Sequence, residues 1–158
     1  MRCHACGKEM RHYRGDHALT ELGLDNFVLV GADQWDCACG EHVVEIPHIP
    51  ELSKAIGKEL LNKRGLLSGP EIRFLRKNMG LKGLELAKLM GVDNATLSRW
   101  EAGSQPISQT SDRLLRLIYA GKKGFRTKGL IEKGFQDIEP ASPPMDRIEI
   151  PIEACKTA

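Results

Sequence analysis

The chain has 158 residues, 41% of them hydrophobic and 28% charged, and carries a formal net charge of +2. This is the composition of an ordinary soluble protein with room for one medium or two small domains. No apolar run approaches transmembrane length, and the opening MRCHACGK lacks the apolar stretch of a signal peptide, so a cytoplasmic protein with no membrane partner is expected. The small net charge hides a division along the chain. Residues 1–50 hold four Lys/Arg against eight Asp/Glu, whereas residues 68–128 hold twelve against five. Phosphate attraction requires such a local positive excess, while the acidic first part suits a protein partner better than DNA.

Five cysteines without a secretion signal argue against a disulfide framework. Cys3 and Cys6, in CHACGK, have the shape of a zinc knuckle: two thiolates grip one metal ion while Gly7 lets the backbone turn so that its amides approach sulfur. Cys37 and Cys39, in WDCACGE, supply a second pair. NFVLV (26–30) and HVVEI (42–46) read as short strands, so residues 1–48 are predicted to form a small sheet stapled by Zn. Four Cys at one tetrahedral site would be closed and structural, which argues against a zinc enzyme. Because the second pair is CxC rather than CxxC, His42 or His4 is an alternative fourth ligand. The competing reading is a redox pair or plain buried thiols, disfavoured because a module with so few large apolar groups needs a staple to fold.

Pro47 and Pro50 mark a boundary. From Glu51 to Arg64, Leu52, Ile56, Leu60 and Leu61 share one face and Gly65 follows, so residues 49–67 are predicted as a linker helix packed on protein. Ser68-Gly69-Pro70-Glu71 has capping-box spacing and opens a helix through Asn78, with Ile72, Leu75 and Met79 inside and Arg73, Arg76 and Lys77 able to face phosphates.

Leu81 to Gly103, LKGLELAKLMGVDNATLSRWEAG, reads as two short helices joined by a tight turn. Leu81, Leu84, Leu86, Ala87 and Leu89 recur at helical spacing, Gly91 stops the first helix and Asp93 is the N-cap of a second, Asn94 to Ala102. Leu97 and Trp100 are turned toward a core, leaving Asn94, Ala95, Thr96, Ser98 and Arg99 for base edges and phosphates in a major groove. LELAKLMGVDNATLSRWEAG resembles the Xre or lambda-repressor type of helix-turn-helix. That family often has Ser or Thr and then Gln where Lys82 and Gly83 stand here. Lys82 keeps a phosphate contact as a point charge, while Gly83 weakens the helix start by up to roughly 1 kcal/mol relative to alanine. Glu101 is expected near Arg99 or on neighbouring backbone.

SQPISQTSDRLLRLIYAGKKG then reads as a loop and a further helix with Leu114, Leu117 and Ile118 as its stripe and Gly121 as its stop. The CxxC, the second cysteine pair, the linker, the Xre-type domain and QP followed by LLRLI together resemble the MqsA/YgiT-type zinc-finger antitoxin family over about residues 1–122. The resemblance implies a transcriptional autoregulator whose zinc module serves a partner toxin, an mRNA-cleaving ribonuclease, while the C-terminal domain dimerises and binds a palindrome. Residues 122–158 leave that pattern: KKGFRTKG is basic, EPASPPMD is Pro-rich, and RIEIPIEA alternates. A loose, disordered tail is expected, with RIEIPIEA the stretch able to pair as an edge strand and Cys155 a dispensable thiol.

The reading is an α+β protein: a small zinc-stapled N-terminal β module (1–48), a linker helix (49–67), an all-α lambda-repressor-like helix-turn-helix domain (68–121) and a basic then Pro-rich tail (122–158). Zn at Cys3, Cys6, Cys37 and Cys39 and DNA contacts from Lys82, Asn94, Ala95, Thr96, Ser98, Arg99, Arg73 and Lys77 are its sites. No catalytic constellation is present, and the expected partners are a palindromic operator in double-stranded DNA, a toxin protein and a second copy of the chain. Two alternatives compete: a stand-alone Xre-type regulator whose cysteines sense metal or oxidant, and a protein-binding adaptor with weak DNA affinity.

Overall fold

The computed structural model describes residues 1–134 and 147–156, which fall into two units. The first comprises Met1–Thr20, Asp25–Ile56 and Arg147–Ala158; the second comprises Glu21–Leu24 and Gly57–Asp146.

The first unit is built on strand β2 (Phe27–Asp36), which alternates inward and outward side chains as a half-buried strand should. Phe27 and Leu29 are buried, but farther along the inward residues are Ala32 and Gln34, one position out of phase. The phase change is a bulge. Strand β1 (Arg11–Ala18) pairs antiparallel with β2, and between Gly15 and His17 the register shifts so that Val30 and Gly31 together face Asp16. Gly31 takes φ +77°, a left-handed conformation that side chains resist, and the extra residue keeps both halves of β2 facing the same core. The other edge of β2 is shared by two short strands. β3 (His42–Val44) pairs antiparallel at Gln34–Asp36, and β4 (Ile148–Pro151) pairs parallel at Phe27–Val30.

β4 comes from the segment expected to be a loose tail. Its Ile-Glu-Ile alternation puts Ile150 inward, the following turn Ile152–Cys155 buries Ile152 and Cys155, and Arg147 is ion-paired with Asp16. Pro151 lies on a strand paired on one side only among the described residues, where a missing N–H is tolerated. Cys155 is therefore a core residue of this unit, and burial pushes its thiol pKa up. The Pro-rich stretch EPASPPMD lies outside the described residues.

Helix α1 (Ile49–Asn62) contributes buried Leu52 and Ile56 to the first unit and buried Leu60 and Leu61 to the second. The second unit continues with α2 (Gly69–Asn78), α3 (Gly83–Met90), α4 (Asn94–Ala102) and α5 (Gln109–Lys123). Local chemistry sets most of the ends. The Ser68 backbone N–H donates to the Glu71 carboxylate at 2.8 Å, Asp93 accepts the Thr96 N–H at 2.7 Å, and Gly91 and Gly103 take φ of 69° and 75° at two helix C-termini.

Hydrophobic spacing misplaces the inner faces of three helices in part. On α3, Leu84 and Leu89 are exposed and Met90 joins Leu86 and Ala87 inside; on α2, Phe74 is buried with Ile72 and Leu75. On α5, the inner face is Asp112, Leu115, Arg116 and Tyr119, so the stripe of Leu114, Leu117 and Ile118 lies on the outer side. The helix runs through Gly121 and stops at Gly124, φ 75°. The buried charges explain the misreading of α5. The Arg116 guanidinium, fully buried, pairs with Asp112 at 2.8 Å and donates to the carbonyls of Leu61 (3.3 Å), Lys63 (2.6 Å) and Gly65 (2.7 Å). Those carbonyls are the ones that the end of α1 and the turn after it leave without helical partners. Asp112 in turn accepts the Leu67 N–H at 2.8 Å, and Lys63 reaches buried Glu71 at 2.7 Å. Removing one member of such a buried pair costs about 3–5 kcal/mol, because a charge is left uncompensated.

Two glycines of the second unit give opposite expectations. A Cβ on Gly69 would lie 2.5 Å from the Glu101 carbonyl oxygen and 2.7 Å from that of Trp100, whereas one on Gly121 meets nothing within 4 Å. Gly69→Ala should destabilise by about 1–3 kcal/mol, since backbone must move, and Gly121→Ala should stabilise by roughly 0.5 kcal/mol through helix propensity. Denaturant midpoints of the two variants against the wild type check both signs.

Candidate metal centre and nucleic-acid surface

Each cysteine pair sits on a knuckle made by backbone hydrogen bonds. The Gly7 N–H donates to the Cys3 carbonyl and the Cys3 N–H to that of Lys8, both at 2.9 Å; the Gly40 N–H donates to Cys37 and the Cys37 N–H to Glu41, also at 2.9 Å. Gly7 (φ 72°) and Gly40 (φ 96°) supply the left-handed residue each turn needs. CxC thus makes the same kind of turn as CxxC, which the spacing alone left open. Cys3 and Cys37 are buried with Met10, packed against Trp35 and Val43, while Cys6 and Cys39 face outward.

The four sulfurs lie within 4.8 Å of one another, with Cys3–Cys39 at 3.6 Å and Cys6–Cys37 at 3.5 Å. These separations are too long for a disulfide. They are close to the roughly 3.8 Å edge of a tetrahedron whose metal–sulfur bonds are about 2.3 Å. His42 is directed elsewhere, its Nδ1 2.7 Å from Asp36 Oδ1, and neither His42 nor His4 belongs to the cluster. The thiols cannot all ionise unaided. The Cys39 backbone N–H, then the Cys39 thiol, bring Cys37 down to about 7. At Cys39 the Glu41 backbone N–H pulls down, but the sulfurs of Cys37, Cys6 and Cys3 outweigh it and push the thiol up to about 12. A divalent cation removes that mutual repulsion, and a closed set of four sulfurs leaves it no open coordination position. The cluster is able to hold a metal ion and suits a structural role.

A family model described as the antitoxin component of bacterial toxin-antitoxin systems, MqsA, matches residues 1–121, a span that takes in both cysteine pairs and α2 to α5 up to Gly121. The chain belongs to the MqsA antitoxin family. Comparison with curated proteins and with solved structures returned no match. The resemblance read from the motifs is borne out, as is an α+β architecture with the four-cysteine sheet preceding the helical region. The family is non-enzymatic and implies a toxin as partner. Among the described residues, no helix of the antitoxin is long and apolar enough to cross a membrane.

On the antitoxin's helical unit, Asn94, Ala95, Ser98 and Arg99 are exposed along α4 and Thr96 is half-buried, while Leu97 and Trp100 are buried. Lys82, Arg73 and Lys77 are also exposed. A Cβ on Gly83 would come within 3.2 Å of Oδ1 of the exposed Asn94 side chain, and Glu85 secures the start of α3 by accepting the Lys82 N–H at 2.6 Å. Glu101 turns to α2 rather than to Arg99. Arg76 grips it bidentately at 2.6 and 3.0 Å, and Arg73 lies 3.5 Å from it, so Arg76 is committed to holding α2 on α4 and Arg73 only in part. Arg99 instead donates from Nε to Gln105 Oε1 and from Nη2 to Thr96 Oγ1, each at 3.1 Å. Thr96 donates its hydroxyl to Asp93 at 2.9 Å, and its backbone N–H, then this hydroxyl, hold the Asp93 carboxyl below its usual range. Gln105 is the first residue of the QP in the family pattern, but nothing in that pattern assigns it to Arg99, because it follows the helix in a loop and meets Arg99 only through the turn at Gly103.

A cobalt-loaded antitoxin should show the intense visible absorption of tetrahedral thiolate coordination, weakened by Cys39→Ser and unchanged by His42→Ala. Because thiols lose protons on coordination, metal affinity should fall as pH is lowered. Competition titrations at two pH values check the direction.

Proposed function

We propose that this antitoxin is a sequence-specific, DNA-binding repressor that autoregulates its operon and neutralises a ribonuclease toxin. The observation that carries the DNA reading is the exposed row Asn94, Ala95, Ser98 and Arg99 on a helix whose opposite side is anchored by buried Leu97 and Trp100. A helix presented in this way, in the part of the chain with the positive excess, suits a major groove. Arg99 reads a base, Asn94, Ala95, Thr96 and Ser98 surround it, and Lys82, Lys77 and Arg73 contact phosphate. The outer stripe of α5, with Leu114 37% exposed and Leu117 and Ile118 half-buried, supports pairing of two copies and hence a palindromic operator with half-sites about one helical turn, or a multiple of it, apart. Zinc is the ion that best suits four thiolates at these separations, held by Cys3, Cys6, Cys37 and Cys39 as a structural staple. The acidic first part faces the toxin, and the protein works in the cytoplasm.

Arg99→Ala should cost about 1–3 kcal/mol on the operator and much less on a scrambled duplex at the same salt concentration. Equal losses on both would reduce Arg99 to a phosphate contact. Lys82→Ala should weaken both duplexes alike and flatten the salt dependence. The toxin half is checked separately: co-expression with the product of the adjacent reading frame should give a stable complex in which RNA cleavage is suppressed.

A further inference from the structure

The hydrogen bonds around Arg99 form a continuous chain. Asp93 accepts from Thr96, Thr96 accepts from Arg99 Nη2, and Gln105 accepts from Arg99 Nε. Gln105 is fixed at its own backbone as well, for its N–H and that of Ser104 donate to the Arg99 carbonyl at 3.3 and 3.1 Å. An arginine fork has two usable edges, one along Nε and Nη2 and one across Nη1 and Nη2. The first is occupied by Gln105 and Thr96. The second has no protein partner among the described residues, and it is the edge that fits the O6 and N7 acceptors of guanine end-on.

From this geometry we propose that Gln105, together with Thr96, is a specificity-positioning residue: it holds the Arg99 side chain by its Nε edge so that the Nη1/Nη2 edge is presented to a guanine. The inference rests on the DNA-reading role proposed above and deepens it. Thr96 changes part accordingly. Its one hydroxyl proton is given to Asp93 and a lone pair to Arg99, so it holds the reader and is not itself a reader. An exposed arginine has many rotamers to lose on binding. A grip that already fixes it lowers what remains to be lost when the base is met, and lowers it only where the base offers two acceptors. Discrimination therefore depends on a residue that touches no base.

The test uses the full-length protein, a duplex carrying the DNA upstream of its own gene, and a scrambled duplex of the same composition at one salt concentration. Gln105→Ala is expected to lower the operator-to-scrambled affinity ratio about tenfold, the lower end of what a bidentate arginine–guanine pair supplies. Gln105→Glu retains an acceptor for Nε, so it should keep the ratio while its added negative charge weakens both duplexes. In the free protein, the Arg99 Nε–H should exchange slowly with solvent in the wild type and in Gln105→Glu, and fast in Gln105→Ala. A wild type that does not discriminate between the duplexes overturns the DNA-reading role and this assignment with it. A wild type that discriminates, with a Gln105→Ala ratio unchanged or an Nε–H equally protected, overturns the positioning role alone.

Discussion

Four sulfurs within 4.8 Å of one another cannot all carry charge unless a cation sits among them, and the first unit is arranged to present them in that way. The two knuckles come from opposite ends of the β1–β2 hairpin: Cys3 and Cys6 precede β1, while Cys37 and Cys39 follow β2. Antiparallel pairing from Ala18↔Val28 down to Arg11↔Asp36 therefore delivers both pairs to one place. Sheet register, turn geometry and thiol chemistry are thus one constraint. A slip of one residue would turn the inward face of β2 outward and separate the sulfurs together.

In the helical unit the corresponding constraint is ionic. Arg116 and Asp112, both fully buried, take up the carbonyls and the amide that the turn from α1 to α2 would otherwise bury without partners. Lys63 and Glu71 do the same nearby, and Arg76 with Glu101 joins α2 to α4. The DNA-reading role proposed for α4 requires that it be held still. A helix of nine residues is marginal alone, so its rigidity is borrowed from these contacts and from Leu97 and Trp100.

Much of this was legible in the sequence, and what was legible is local. Asp93 acts through its carboxylate on the Thr96 N–H three residues on, Gly91 and Gly103 act through their own backbone, and CHACG and CACG close turns of a few residues, so their roles follow from neighbours in the chain. The family resemblance rested on the same short-range features. The failures involve distance. Asp112 and Arg116 look like surface charges on α5 until Leu61 to Leu67 is folded over them, which is why hydrophobic spacing points to the outer stripe. Nothing next to Gln105 says that it meets Arg99. Nothing in RIEIPIEA says that its partner is Phe27–Val30, more than a hundred residues earlier.

That last pairing bears on the order in which the protein can be completed. The cysteines, β1, β2 and β3 are synthesised first, yet the edge of β2 at Phe27–Val30 stays bare until the residues after the helical unit have followed. Contacts of such long sequence separation form late. An uncovered edge beside apolar Phe27 and Leu29 is a template for association with other strands. A nascent or prematurely ended chain would therefore carry its four-cysteine cluster on an unfinished sheet. The cell would meet this protein in two conditions, open-edged while the ribosome is still at work and closed once Ile148–Pro151 arrives, and the segment from Ile148 to Cys155, although beyond the family's matched span, decides which.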